Sequence, residues 1–360
     1  MKDSGHSACE NRPTAIDLFS GCGGLTLGLK LGGFRVIGAV DIDPLSIETY
    51  EANHDDVTVW TADIRDLEPS EIQSTLDLEP GDLDLVAGCP PCQGFSTMRT
   101  LNGSLQVEDP RNDLLLEVLR FVDALRPKAV MIENVPGLAD DESFQVFCGR
   151  MKKAGYCGDQ DVLNAAEYGV PQRRKRLIYV AGLRTEIPFA EPVEDKLTVK
   201  DAIGDLPKPG QSGDPIHDLS ERRTPQVMRL IQRIPQDGGS RTDLPIEDQL
   251  ECHKRCDGFK DVYGRMAWSE VAPTITSGCF NPSKGRFLHP EEHRAITMRE
   301  AALLQGFPDS YKFPKATSKS SLAMMIGNAL PPPFIAAHAK VIRNTLQLKG
   351  VTPSGDWENM

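Results

Sequence analysis

No run of 18 or more apolar residues occurs in the chain, so no membrane-spanning helix is expected. The opening MKDSGHSACENRP lacks the apolar stretch of a secretory signal, so a cytoplasmic location is expected. Internal repeats and low-complexity tracts are absent as well. Basic charge is short: 40 Lys and Arg stand against 52 Asp and Glu, for a net charge of −12. Taken alone, that deficit argues against nucleic acid as a partner, because phosphate binding relies on Lys and Arg. The objection is met only if basic residues gather on one face. A paired set of cysteines is lacking too. Nine are scattered through the sequence, and without a secretory signal they are expected as reduced thiols, available for chemistry.

What is present is an alternation of short apolar runs and helical stretches. Strands are expected at 15–19, 36–42, 57–62, 83–88, 129–135 and 177–183, each rich in Val, Ile and Leu as in a strand covered on both faces. Between them, 111–125 repeats Leu114, Leu115, Val118, Leu119 and Val122 at helical spacing. The fold class is therefore α/β, a doubly wound and mostly parallel sheet. From about 185 to 290 the texture changes to Pro, Gly, Asp and Ser, as in LPKPGQSGDP and IPQDGGSRTDLP, which predicts a smaller, loop-rich region. Helical pattern returns at 297–305 and at about 334–347. The expected organisation is a tail over 1–12, a first domain over 13–185, a loop-rich region over 186–293, a return to the first domain over 294–348, and a tail over 349–360.

In an open parallel sheet, ligands bind beyond the carboxyl ends of the strands, and the polar chemistry sits at those ends. The first strand runs into FSGCGGLTLGL (19–29), where glycines 21, 23 and 24 allow a tight turn and the next helix offers its N-terminus. Thr26 stands where a dinucleotide fingerprint needs its third glycine, which lowers the case for NAD or FAD. Asp41 and Asp63 end the next two strands, and two acids after a glycine turn suit an adenosyl pocket whose ligand carries a sulfonium cation. The fourth strand ends in AGCPPCQGFS (87–96). Its Cys89 and Cys92 admit three readings besides a nucleophile: a redox pair, half a zinc site completed by Cys252, His253 and Cys256, or structural thiols. The fifth ends in IENVPGL, with Glu133 at the rim. In QRRKRLIYV (172–180), strand alternation sends Arg174 and Arg176 to one side.

These blocks resemble the DNA cytosine-C5 methyltransferase family over nearly the whole chain. They are, in order, DLFSGCGGLTLGL (17–29), Asp41 and Asp63, GCPPCQGFS (88–96), ENVPGL (133–138), QRRKR (172–176), REAALLQGFPDSY (299–311) and GNALPPP (327–333). The resemblance implies a Rossmann-like methyltransferase fold with a target recognition domain between QRRKR and REAALLQGF. It implies S-adenosylmethionine as cofactor, held by Phe19, Gly21, Gly24, Leu25, Asp41, Ile42, Asp63, Ile64, Pro91 and Asn328. It implies Cys92 as the nucleophile, Glu133 as the acid on the cytosine ring, and Arg174 and Arg176 as the basic pair beside it, with no metal. Cys89 stands where a glycine is common and is expected to be a bystander. Ile42 stands where a larger aromatic can occur.

The chemistry implied is covalent. Addition of the Cys92 thiolate to carbon 6 of cytosine activates carbon 5, while a protonated Glu133 donates to N3 and an arginine binds O2. The base must first leave the duplex, and residues 93–112, from Gln93 through Gly94, Gly103 and Arg111, are the candidate loop to fill the gap. Arg241, Lys254, Arg255, Lys260, Arg265, Lys284 and Arg286 are candidates to meet phosphates or bases. The implied partner is duplex DNA, with a cognate restriction endonuclease as a second partner, and the chain is expected to be a monomer. A tRNA cytosine-C5 methyltransferase, a catalytically inactive DNA-binding regulator and a C-x-x-C redox or zinc protein are the rival readings.

Overall fold

The computed structural model describes residues 12–91, 114–254, 260–314 and 318–349, leaving aside the side chains of Cys252, His253 and Lys349. Cys92, the candidate loop 93–112, Arg255 and Cys256 lie outside the described residues. The described strands are β1 (Thr14–Leu18), β2 (Arg35–Asp41), β3 (Thr58–Thr61), β4 (Leu85–Gly88), β5 (Ala129–Asn134), β6 (Tyr156–Asn164) and β7 (Lys175–Leu183). The helices used below are α1 (Gly24–Leu31), α2 (Pro44–Glu51), α3 (Pro69–Leu76), α4 (Leu114–Leu125) and α5 (Glu142–Lys153). After them come α6 (Val199–Ile203), α7 (Pro225–Arg233), α8 (Met298–Leu304), α9 (Lys319–Asn328) and α10 (Pro332–Lys349).

The seven strands form one sheet in the order β3-β2-β1-β4-β5-β7-β6. From β3 to β5 all pairings are parallel, so Leu18, Asp41, Thr61, Gly88 and Asn134 end on one rim. β7 pairs antiparallel with β5, with Glu133 opposite Ile178, so it is the start of β7 that reaches this rim. Strand order reverses between β1 and β4, the switch point at which such sheets bind ligands. Every residue of β4 and β5 is buried, which explains their unbroken apolar runs. Ile16, Val40, Val86 and Ile132 of the sheet share a core with Ile72 of α3, Leu119 and Val122 of α4, and Phe144 and Phe147 of α5. β6 has no counterpart among the sequence-expected strands. It is an edge strand, YCGDQDVLN, exposed along most of its length, and it lacks the apolar run that marks the others.

The chain divides into two compact units. One comprises the described residues up to Leu163, Lys175–Glu191 and those from Pro332 onward; the other is Asn164–Arg174 with Pro192–Pro331. The expected return to the first domain at 294 is therefore corrected to 332. The reason is packing: α8 packs on α6 and α9, whereas only α10 lies along α1. The α1–α10 contact is close because α1 carries glycines on that face. A Cβ on Gly28 would stand 2.5 Å from Ile335 Cβ and 2.8 Å from the Pro332 carbonyl oxygen; one on Gly32 would stand 2.4 Å from Ala339 Cβ.

In the second unit, arginine replaces regular pairing. Arg265 is fully buried and donates to the carbonyl oxygens of Ile231, Ile234, His289 and Glu292. Two of those carbonyls lie at the C-terminal end of α7, where unpaired oxygens attract a cation. Leu230, Ile231, Ile234, Tyr263 and Leu288 pack around it. Arg294 grips Glu300 with two bonds of 2.7 Å, and the Glu300 side chain closes a capping box with Thr297 at the start of α8.

Gly28→Ala is expected to lower stability by about 1–3 kcal/mol through overpacking, although Ala gains roughly 1 kcal/mol of helix propensity over Gly. Urea unfolding reads this as a lower midpoint. An unchanged or raised midpoint would show that α1 and α10 are not in close approach.

Candidate active site

The turn after β1 is held in an uncommon backbone conformation. Phe19 has φ 66° and Gly21 φ 52°. A left-handed aromatic residue costs on the order of 1–3 kcal/mol and persists only where its surroundings impose it, often at ligand sites. Here the ring packs against the core, and the next residue's N–H donates to the Val40 carbonyl at 3.0 Å. Gly21 N–H donates to Asp41 Oδ2 at 2.8 Å and Asp43 N–H to Oδ1 at 2.9 Å. Burial raises the Asp41 carboxyl above its ordinary range, against the lowering by these two N–H donors. A Cβ on Gly21 would meet nothing within 4 Å, so the turn borders open space. The Ser20 hydroxyl is buried with no partner, and Ile42 is 63% exposed. The result is a concave turn with an orphaned hydroxyl, an acid and an apolar platform.

Below this turn lies Asp17 of β1, with no exposure. Thr26 donates its hydroxyl proton to Asp17 Oδ2 at 2.7 Å, and Tyr50 Oη stands 2.8 Å from Thr26 Oγ1; Asp17 Oδ1 has no partner. Burial pushes the Asp17 carboxyl up to about 8, opposed by Thr26 and assisted by the charge of Asp41.

Two strand ends away stands Glu133, 2% exposed at the rim of β5. Cys89, just past β4, donates its thiol to Glu133 Oε2 at 2.9 Å. Arg176, at the start of β7, sets Nε 2.9 Å from Oε1, an ion pair without aligned hydrogen-bond geometry. The neighbouring Asn134 donates to the Pro90 carbonyl at 3.0 Å and fixes the loop that leads to Pro91 and Cys92. Ser20 and Asn134 were not among the expected site residues, and Cys89, expected to be a bystander, sets its thiol on the acid itself. A Cys one residue past a buried strand was the available signal.

The other expected residues divide. Gly24 and Leu25 open α1, with Leu25 buried beneath the turn, and Pro91 is exposed at the edge of the described chain. Asp63 is bound by Arg65 through its carboxylate and backbone N–H, and this partner holds its carboxyl below the ordinary range. The Ile64 side chain belongs to the core, so it offers no side-chain contact to a ligand. Asn328 is exposed at the end of α9 in the second unit. Arg174 is corrected. It precedes β7, so strand alternation does not govern it, and its buried guanidinium donates to the carbonyls of Ile275, Gly327 and Ala329. Of the expected pair, Arg176 makes the described contact with Glu133.

Among the candidate nucleic-acid contacts, Arg241 and Arg265 are buried, Arg286 is spent on Asp261 and the Gly238 and Arg265 carbonyls, and Lys254 pairs with Glu251. Lys260 and Lys284 are exposed. Burial pushes the thiols of Cys22 and Cys279 up to about 12 and that of Cys148 to about 11, which removes them as nucleophiles. Among the described residues no group of three or more His, Cys, Asp or Glu is placed to hold a metal, and no helix is long and apolar enough to cross a membrane.

Comparison with known proteins adds three findings. The family model for C-5 cytosine-specific DNA methylases matches residues 14–344. The type II methylase M.HgiDII of Herpetosiphon aurantiacus is 37% identical, over 92% of this chain and 95% of the relative. A crystal structure of a prophage-encoded DNA modification methyltransferase from E. coli superposes with a TM-score of 0.67 at 27% identity, covering 93% of this chain and 99% of that one.

The Asp17 arrangement sets a pH dependence. In the fold the carboxyl keeps its proton up to about pH 8, whereas in the unfolded chain it loses it near 3.8. The contribution of Asp17 to stability is thus full below 3.8 and declines as pH rises toward 8, by at most about 1.4 kcal/mol per pH unit. His54, lowered to about 4 by burial and Lys30, acts oppositely between 4 and 6.5, so the interval from 6.5 to 8 isolates Asp17. Urea midpoints of the wild type are expected to fall across that interval, and those of Asp17→Asn to stay level. Parallel declines would refute the buried proton.

Proposed function

The chain belongs to the C-5 cytosine-specific DNA methylase family, which makes it a sequence-specific DNA cytosine-5 methyltransferase, and we propose that Cys92 is its nucleophile and S-adenosylmethionine its cofactor. The observation that supports this reading best is the rim of β5. There a buried carboxyl group, a thiol and a guanidinium from three adjacent strands converge two residues from Pro91 and three from Cys92.

The turn after β1 fits the cofactor. The orphaned Ser20 hydroxyl, the open space beside Gly21, the Asp41 carboxylate and the exposed Ile42 are the parts that would hold it, with Phe19 and Gly24 shaping the turn. When bound, S-adenosylmethionine supplies the methyl group as an electrophilic carbon beside a sulfonium charge that Asp41 complements.

The protein's own residues do the rest. Duplex stacking hides the target ring, so the cytosine must be extruded, at a cost of a few kcal/mol. The Cys92 thiolate forms a sulfur–carbon bond at carbon 6, and the ring's electrons move toward N3 and carbon 5. Glu133 donates a proton to N3 and accepts a hydrogen bond from the exocyclic amine. Arg176 orients that carboxyl group. After methylation a water or weak base removes the carbon 5 proton, the sulfur–carbon bond breaks, and the thiolate is regenerated. In this reading the second unit recognises the target sequence, and the chain acts as a monomer that protects the sites of a cognate endonuclease.

Cys92→Ser is expected to reduce methyl transfer to duplex DNA on the order of 10³-fold or more while sparing DNA binding. Glu133→Gln should lose roughly 10²-fold. Both are checked with labelled cofactor on duplex DNA and on tRNA in parallel. Normal methylation by Cys92→Ser, or transfer to tRNA alone, would overturn the proposal.

A further inference from the structure

We infer that Cys89 is a positioning residue for the reaction: its thiol fixes the carboxyl plane of Glu133, so that the acid meets the cytosine edge in one orientation. The inference rests on the reading of Glu133 as the cytosine ligand.

Two cross-links tie the loop after β4 to the end of β5. One is the Cys89 thiol on Glu133 Oε2, at 2.9 Å; the other is Asn134 Nδ2 on the Pro90 carbonyl, at 3.0 Å. Adjacent residues on each strand take part, so neither can shift without straining the other. The backbone of Cys89 is itself anchored. Its N–H donates to the Leu18 carbonyl of β1 at 3.2 Å, and the preceding Gly88 lies so close to that strand that a Cβ there would stand 3.0 Å from the same oxygen. Pro90 and Pro91 follow, with φ fixed by their rings. The thiol is therefore presented from a rigid base.

Arg176 alone would not set the orientation. Its Nε approaches Oε1 as an ion pair without aligned hydrogen-bond geometry, and it leaves Oε2 unaddressed. Rotation about the last side-chain bond of a glutamate is soft, so a second donor on the other oxygen is what fixes the plane. A thiol suits the position because it is a weak donor and a weak acceptor. It orients the carboxyl group without competing with N3 and the exocyclic amine for the same oxygens.

The test is steady-state methylation of duplex DNA by Cys89→Ala and Cys89→Ser, alone and in the Glu133→Gln background. A duplex carrying 5-fluorocytosine counts competent enzyme. It has no carbon 5 proton to lose, so each folded molecule with its nucleophile stays attached. Per competent site, Cys89→Ala is expected to lower kcat about tenfold with KM for DNA little changed. Cys89→Ser, which retains a donor, should recover most of that loss. In the Glu133→Gln background the Ala substitution should add less than about twofold, because the coupling between the two positions is already gone.

Wild-type kcat in Cys89→Ala would overturn the inference, as would a full tenfold loss repeated beside Glu133→Gln. Complete failure of Cys89→Ala to form the adduct would overturn it too, since a positioning residue slows the step without supplying it. Cys92→Ser separates the two levels. If it still methylates, the covalent reading fails; if it is inactive while Cys89→Ala is normal, only the positioning role falls.

Discussion

A carboxyl group taken almost wholly out of water needs a partner for each oxygen, and the arrangement of the rim follows from meeting that need at Glu133. A thiol donor comes from beyond β4 and a guanidinium charge from the start of β7, on opposite sides of β5. The second is available only because β7 runs against its neighbour. A parallel β7 would have carried Arg176 to the opposite end of the strand, away from this rim. The reversal of a single strand thus converts a ligand-binding rim into one that also holds a buried acid. The same rim, at the switch between β1 and β4, carries the glycine turn and Asp41, so the buried acid and that turn are neighbours by topology.

The second unit solves a different problem with the same side chain. It has little regular ladder, and its loops bring carbonyl oxygens inward. Arg174, Arg265 and Arg286 satisfy those oxygens, and Gln172 links the Leu304 carbonyl to the backbone N–H of Ile275. Guanidinium groups suit this work because five donors leave a rigid plane in several directions. The consequence for a chain of net charge −12 is that part of its positive charge is spent inside. Arg222, Arg229 and Lys284 are among the exposed cations that remain for phosphate.

Much of the sheet was legible because burial on both faces writes a continuous apolar run, as in LVAG and AVMIEN. β6 was illegible for the opposite reason: an edge strand needs no such run. Asp41 and Glu133 were legible as acids at the carboxyl ends of such runs. Arg174 was misplaced because alternation was applied one residue before its strand began, and its partners lie 101 to 155 residues away, a distance no local pattern reports. Cys89 carries no local signal of its partner, standing three residues before Cys92 in the same motif. Its role depends on a through-space contact across 44 residues, visible only once β4 and β5 lie side by side.

The contact between α1 and α10 also bears on how the molecule comes into being. A ribosome releases the chain from its first residue, and domains usually assemble as they emerge. Here α1, the helix beneath the glycine turn, precedes the second unit along the chain, yet α10, which covers it, follows that unit. Until residue 332 and beyond leave the exit tunnel, the glycine face of α1 stays wet, and the whole second unit is synthesised in the interval. The second unit is therefore made in full before α1 gains its cover.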